Sequence, residues 1–164
     1  MFQVFTKNLL FLTILFISYS LISEEYKAGK HYQILPQTIA TRDAKKIEII
    51  EFFWFGCGHC YSLENQLKSW EEKLPSDIDF WRSPITWNEM AKTHAKLFFA
   101  AEFFEKPEII SNTFVSIHAN RRMMTSDQEL QPFFASFGIT EDQYLSLFNS
   151  FAMQNKIRRA DTFG

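Results

Sequence analysis

The chain has 164 residues, of which 46% are hydrophobic, 22% charged and 17% aromatic, and its formal net charge is -2. This balance is typical of one folded globular domain with a bulky, Phe-rich core, and it excludes a disordered chain. Because there is no excess of basic residues to attract phosphates, we expect no nucleic acid among its partners.

The N-terminal segment has the pattern of a secretory signal. A single Lys7 precedes an apolar run over residues 9–22. This run is shorter than the roughly 20 residues of a comfortable membrane span and fits the apolar region of a signal peptide. We predict a signal peptide over residues 1–23, with cleavage after Ser20 or Ser23; the alternative is an uncleaved anchor. Either form places the folded part outside the cytoplasm, where disulfides persist.

The first half of the folded chain alternates extended and helical patterns, as in a βαβ unit. A run of β-branched and aromatic residues predicts a central strand buried on both faces. The helix after it begins at the cysteine pair, ends before Pro75 and turns Glu64 and other charged residues away from its apolar stripe. The predicted elements are a short strand at 31–35, a loop at 36–46, the central strand at 47–55, helix 60–74 and a strand at 78–83.

The second half is helical throughout, with about four elements. Apolar residues recur at helical spacing from Asn88 to Phe104, and Pro107 divides this helix from a second one at about 108–119. A third helix is predicted over 125–138, with a capping signal at Ser126 and Gly138 at its end. Residues 140–164 supply one or two more helical stretches.

The chain has two cysteines, Cys57 and Cys60, in the stretch "WFGCGHCY". A structural zinc site usually draws on two such pairs, or on one pair and two nearby histidines, whereas the four histidines here are scattered. A c-type haem would need His where Tyr61 stands. A disulfide that closes so short a loop would stabilise the fold little. The pattern therefore favours redox chemistry without a metal or another cofactor.

A strand followed by a helix places Cys57 at the helix N-terminus, where backbone N–H groups favour a thiolate. This position lowers the pKa of a thiol, and a protonated His59 would lower it further. A stabilised thiolate makes the Cys57–Cys60 disulfide oxidising. Cys60, one turn into the helix, is expected to be shielded and to act as the internal partner. A reductase would use the same geometry, and the spacing does not separate the two.

Glu51 interrupts the apolar central strand six positions before Cys57. An unpaired charge inside a sheet is costly, so the position needs an explanation. One alternative is a solvent-facing carboxylate at a sheet edge. The other is a buried acid below the disulfide that accepts the proton of Cys60, with Arg82 on the next strand as its partner.

The segment "EFFWFGCGHCYSLE", the secretion signal and the helical block after "FWRSPITW" resemble the DsbA family of periplasmic thiol:disulfide interchange proteins, from about residue 30 onward. The resemblance implies an α/β, thioredoxin-like fold with an inserted helical domain. It also implies a periplasmic monomer that oxidises reduced secreted proteins and is reoxidised by a membrane oxidase of the DsbB type. Cys57 would form the mixed disulfide and Cys60 would close the active one. Glu51 falls at the family's buried acid, with Arg82 as the accompanying basic residue.

Two features depart from the family pattern. Gly58 stands where the bacterial oxidants usually carry Pro, and Gly-His is the dipeptide of eukaryotic disulfide isomerases. The sequence also stops where a cis-proline loop, a strand hairpin and a final helix would follow. We therefore expect the N-terminal part of a thioredoxin-like domain at 24–87 and the inserted helical domain at 88–162, without the C-terminal part and with impaired activity.

These residues support three hypotheses about the function. The leading one is a dithiol oxidant, and the second is an isomerase or reductase that uses the same cysteines. The third is an inactive, truncated binding module whose aromatic residues hold a partner. In each of them, Trp54, Phe55 and Trp87 are candidates for an apolar substrate surface around the disulfide, although their strand positions also fit a core.

Overall fold

The computed structural model describes residues 25–37 and 39–163. The chain divides into two compact units, residues 1–40 and 41–164. The predicted signal peptide, 1–23, lies outside the described residues. In the described part of the first unit, an isolated parallel bridge joins Ala28 to Tyr32, and residues 31–35 are exposed. The strand predicted at 31–35 is therefore wrong: these residues form no strand, and Ile34 and Leu35 are 76% and 63% exposed.

The sheet of the second unit has two parallel strands, β1 (Ile47–Phe53) and β2 (Ile78–Pro84), within the described residues. Helix α1 (Gly58–Glu71) connects them. The register pairs Ile47 with Ile78 and continues to Phe53 with Pro84. The predicted βαβ unit is confirmed, since parallel neighbours require such a crossover.

Strand β1 is less buried than its sequence predicts. Ile47 is 60% exposed and Phe52 46% exposed, whereas Phe53 is 1% exposed. Among the described residues β1 has one neighbouring strand, and α1 has no fully buried residue with which to cover the sheet. The prediction of a strand buried on both faces is therefore wrong, and the strand ends at Phe53 rather than at residue 55.

Five helices follow β2: α2 (Glu89–Phe103), α3 (Glu108–His118), α4 (Asp127–Ala135), α5 (Glu141–Phe148) and α6 (Phe151–Phe163). Their N-termini follow the local sequence. Asn88 Oδ1 accepts a hydrogen bond from the Ala91 amide at 2.9 Å, and Thr140 and Gln143 form a capping box. Helix α4 starts after Ser126 as predicted but ends before Gly138, whose φ of 74° lies in the left-handed region.

The core lies mainly among the helices, and aromatic side chains dominate it. Phe134 stacks on Tyr144 with ring centroids 4.8 Å apart, and both are fully buried. Phe53, the last residue of β1, and Phe55, just after it, lie with their ring centroids 6.1 and 4.7 Å from that of Phe114 in α3. The predicted Phe-rich core is confirmed, and it anchors the end of β1 to the helical block. No helix in the described part of the chain is long and apolar enough to cross a membrane.

Candidate active site

A tight turn joins β1 to α1 and carries the cysteine pair. The Cys57 amide donates to Trp54 O at 2.9 Å, which closes the turn. At Gly56 an added Cβ would stand 2.4 Å from the Trp54 ring, so the indole occupies the space of a side chain. Glycine at residue 56 therefore lets the chain bend tightly under Trp54 and present Cys57 to the helix.

Cys57 is the N-cap residue of α1, as the sequence predicts. Its Sγ accepts a hydrogen bond from the Cys60 amide at 3.4 Å. The pKa of Cys57 is lowered, first by a hydrogen bond from the Cys60 thiol and then by the backbone amides of Cys60 and His59, which together outweigh its burial. A negative sulfur at Cys57 is thus stabilised by donors that already point at it.

Cys60 has the opposite character. It lies in the first turn of α1, is half-buried and packs against the aromatic core. Burial raises the pKa of its thiol to about 11, and the hydrogen bond that it gives to Cys57 adds to the effect. At neutral pH the pair therefore consists of an activated sulfur, Cys57, and a protonated one, Cys60. The structure shows both as free thiols.

The side chain of His59 is exposed between the two cysteines. Its backbone N–H contributes to lowering the pKa of Cys57, after the thiol and the amide of Cys60. The predicted contribution of a protonated His59 ring stays a prediction.

Glu51 and Arg82 are paired directly across the two strands. Arg82 Nε donates to Glu51 Oε2 at 2.5 Å, while its two terminal nitrogens donate to the Glu64 carboxylate at 3.1 and 2.9 Å. The side chains are 12% to 21% exposed, so Glu51 does not face solvent. The predicted partnership with Arg82 is confirmed. The orientation predicted for Glu64 is wrong, because Arg82 draws this carboxylate inward from α1.

The pKa of Glu51 is raised in spite of Arg82. Burial is the largest cause, and the charges of Glu64 and Glu71 act in the same direction. Its charge raises the pKa of both cysteines. Glu51 is thus an acid that retains its proton to higher pH than an ordinary carboxyl and is electrostatically coupled to the pair.

Two histidines of the helical block contact the turn, and sequence reasoning missed both. His118 Nε2 lies 2.8 Å from Phe55 O, and its ring stacks on Tyr61. His94 binds Met123 O at 2.9 Å and lies against the ring of Trp54 at 6.0 Å. Burial lowers the pKa of His94. The helical spacing of the sequence predicts the helices on which these two histidines lie. No local pattern predicts their contacts with the turn, which lies more than 30 residues earlier in the chain.

The predicted aromatic surface is only partly present. Phe55 is 1% exposed and belongs to the core, so its assignment to the surface is wrong. Trp54 is half-buried, whereas Trp87 is 75% exposed. Since the carboxyl ends of parallel strands meet at one edge, Trp87, shortly after β2, lies at the same end of the sheet as Cys57.

The described residues contain no group of three or more His, Cys, Asp or Glu side chains placed to hold a metal ion. The donors around the pair are backbone amides and one thiol, which stabilise a thiolate. A βαβ unit with a Cys-x-x-Cys pair at a helix N-terminus defines the thioredoxin-like class of thiol:disulfide oxidoreductases.

Comparisons with known proteins specify the family. No family model matches the chain. It is 32% identical over 139 residues to thiol:disulfide interchange protein DsbA of Pseudomonas aeruginosa, which covers 84% of this chain and 66% of that protein. The corresponding protein of Azotobacter vinelandii is 32% identical over 142 residues, or 86% of this chain and 66% of the relative.

Solved structures agree. The crystal structure of Pseudomonas aeruginosa DsbA matches with a TM-score of 0.77 and 31% identity over 85% of this chain and 73% of that one. The Neisseria meningitidis oxidoreductase NmDsbA1 shares the fold, with a TM-score of 0.70 at 20% identity. The chain belongs to the DsbA family, with a thioredoxin-like fold and a helical insertion. It spans about two thirds, 66%, of the length of these curated relatives.

Proposed function

We propose that the chain is a dithiol oxidant that passes the Cys57–Cys60 disulfide to reduced secreted proteins. The observation that carries this proposal is the lowered pKa of Cys57, which is the N-cap of α1 and accepts hydrogen bonds from Cys60. Stabilising the thiolate lowers the free energy of the reduced pair, so the disulfide is readily given away. Membership in a family of thiol:disulfide interchange proteins supports the reaction class.

The reaction proceeds by two exchanges. A substrate thiolate attacks Cys57 Sγ; a bond forms between these sulfurs and the Cys57–Cys60 bond breaks, which releases Cys60 as a thiolate that takes up a proton. A second thiolate of the substrate then attacks the substrate sulfur of the mixed disulfide and releases Cys57 as a thiolate. Two electrons pass from the substrate dithiol to the cysteine pair, and the substrate gains one disulfide.

Glu51 is proposed to exchange the proton of Cys60. With a pKa near 11, the Cys60 thiolate is a strong base when it is released, and it needs a nearby acid. The raised pKa of Glu51 suits a carboxyl that donates this proton during oxidation of the substrate and accepts it when the pair is reoxidised. His59, exposed beside the pair, is proposed to add positive charge when it is protonated.

The cellular setting belongs to the same proposal. Residues 1–23 would direct the chain to the periplasm, where a membrane oxidase of the DsbB type would withdraw electrons from Cys57 and Cys60. The protein would act as a monomer on reduced secreted proteins. The thioredoxin-like part would comprise residues 24–87 and the inserted helical domain residues 88–162.

The test measures the direction of exchange with the full chain. We expect the oxidised protein to form disulfides in a reduced secreted protein faster than glutathione disulfide does. Mixed with the disulfide form of the same secreted protein, the C60S variant should accumulate a mixed disulfide, because its Cys57 thiolate attacks the substrate disulfide and no Cys60 thiol releases the product; the C57S variant should not. If the wild type instead reduces insulin or reactivates a scrambled substrate, without net oxidation, the protein is a reductase or an isomerase. If neither cysteine variant differs from the wild type in any of these assays, the redox proposal fails altogether.

A further inference from the structure

His118 contacts the active-site turn from both sides of the cysteine pair. On one side its Nε2 lies 2.8 Å from the carbonyl oxygen of Phe55, two residues before Cys57. On the other side its ring stacks almost parallel on Tyr61, directly after Cys60, with 4.8 Å between centroids and 8° between planes. One side chain from the end of α3 thus holds residues that flank the whole CGHC segment.

The chemistry of the first contact is unambiguous. A carbonyl oxygen can only accept a hydrogen bond, so Nε2 of His118 carries the proton and donates it. The Phe55 ring is fully buried, so the bond restrains a rigid point of the chain. From there the turn runs through Gly56, whose missing side chain leaves the backbone free to move unless its ends are fixed.

The second contact fixes the other end. Tyr61 follows Cys60 in the first turn of α1, and its amide donates to Cys57 O at 3.1 Å. Phe114, one turn before His118 on α3, also stacks on Tyr61 at 6.0 Å and is buried. The face of α3 therefore holds the first turn of α1 at the position where its amides point at Cys57 Sγ.

We propose that His118 is a positioning residue that holds the amides of His59 and Cys60 toward Cys57 by fixing Phe55 and Tyr61 at the two ends of the turn. A hydrogen bond to sulfur weakens steeply when its donor turns away, and the Cys60 amide is already 3.4 Å from Cys57 Sγ. A small shift of α1 against the turn would therefore weaken the stabilisation of the Cys57 thiolate. The role rests on the proposed redox function of the pair.

Three variants separate the two contacts. H118Q retains an N–H donor and lacks the ring, H118F retains the ring and lacks the donor, and H118L lacks both. N112A is the matched control, because Asn112 is exposed on the same helix and its side-chain amide binds Glu108 O of that helix. Each is prepared as the full chain. The readouts are the pH profile of Cys57 alkylation, the equilibrium constant with glutathione, and the thermal unfolding midpoint.

We expect H118F and H118L to raise the pKa of Cys57 by about one unit, which lowers the alkylation rate at acidic pH about tenfold. The glutathione equilibrium should shift in the same direction, toward a less oxidising disulfide. H118Q should lie within about threefold of the wild type, and N112A should match it. If H118F and H118L fold but leave the thiol profile and the glutathione equilibrium unchanged, whether or not the unfolding midpoint falls, His118 is merely structural and the inference is wrong.

These readouts are independent of the proposed direction of exchange. A wild type that forms no disulfides in a reduced protein would defeat the proposed function, yet its Cys57 would still titrate and its dependence on His118 would still be measured. Conversely, if the wild type is an active oxidant but the pH profile of Cys57 alkylation is the same in the His118 variants, this inference is wrong and the proposed function stands.

Discussion

Arg82 donates to Glu51 at 2.5 Å and, with its two remaining nitrogens, to Glu64. One guanidinium thus serves two carboxylates, so neither receives the full benefit of its charge. Burial then prevails over attraction at Glu51, and its pKa is raised. The relation between these two residues keeps a carboxyl of raised pKa in the sheet without leaving its charge unpaired.

Replacing Glu51 by Gln should change both thiols. Its negative charge raises the pKa of Cys57 and of Cys60, so E51Q should lower both pKa values. Loss of the carboxyl should also slow reoxidation of the reduced pair, because Cys60 then lacks the proton acceptor proposed for it. Thiol pKa values are read from alkylation profiles, with C57S used to isolate Cys60, and reoxidation is followed by stopped-flow fluorescence. Unchanged pKa values and rates would remove Glu51 from the mechanism.

Replacing Arg82 by Met should destabilise the protein by about 2–4 kcal/mol, since two partly buried carboxylates then lack their partner. The loss depends on pH. Without Arg82 the pKa of folded Glu51 rises further above its unfolded value, so stability is retained below about pH 4 and is lost as pH rises through the folded pKa. Denaturant unfolding at several pH values measures it. The control is R159M, at an exposed arginine of α6; an equal, pH-independent loss in both variants contradicts the prediction.

Cys57 should react with iodoacetamide far faster than Cys60 at neutral pH. Thiolate content favours Cys57, because its pKa is lowered whereas that of Cys60 is raised to about 11. The Cys57 rate should rise with pH to a midpoint below that of a free thiol, about 8.5. Peptide mapping after timed quenching assigns the sites. Modification of Cys60 first, or a Cys57 midpoint at 8.5 or above, would show that the N-cap does not activate this sulfur.

Trp87 should contribute to the binding of unfolded substrates. It is 75% exposed at the end of the sheet that carries Cys57. We expect W87S to raise the KM for a reduced protein several-fold while the alkylation rate of Cys57 stays unchanged, because the thiol environment is intact. F151S removes an aromatic side chain that is 74% exposed on α6 and should have no effect on KM. Equal effects of the two substitutions would mean that general surface hydrophobicity matters, not this position.

Gly58 should accept proline. It is the first residue of α1, an added Cβ would meet no atom within 4 Å, and proline is favoured at this helix position. G58P should preserve the fold, stabilise it by about 0.4–1 kcal/mol and make the disulfide more oxidising, because a stiffer turn holds Cys57 toward the amides. Thermal unfolding and the glutathione equilibrium test both effects. G138A, at a φ of 74°, should instead destabilise the protein; a similar loss in G58P would contradict this account.

The sequence predicts the parts of the fold that depend on local order. Periodicity gives the helices, and the change from strand to helix at Gly56 gives Cys57 its N-cap position. The strand predicted at 31–35 is wrong because an apolar stretch forms a strand only where another strand pairs with it. No local sequence pattern shows whether such a partner is present. The break between α5 and α6 at Asn149 is also difficult to predict from the sequence, because the residues on both sides of it have helical patterns.

The candidate site shows the same division. The cysteines and Glu51 are visible because each stands out against its neighbours in the chain. Glu64 does not, because it is one of three charged residues of α1, with Lys68 and Glu71, and its pairing with Arg82 depends on tertiary contacts. His94 and His118 reach the turn only through helix packing, so their contacts depend on tertiary geometry.

The indole of Trp54 lies where a side chain of residue 56 would stand, so it limits which residues position 56 can accept. Any larger residue at Gly56 requires the indole to move from its place against the ring of His94. Substitutions at residue 56 should therefore disturb the packing of the turn against α2, whereas Gly58, two positions away and open to solvent, has room for a side chain. Of the two glycines in this segment, Gly56 is the one that lacks room for a side chain.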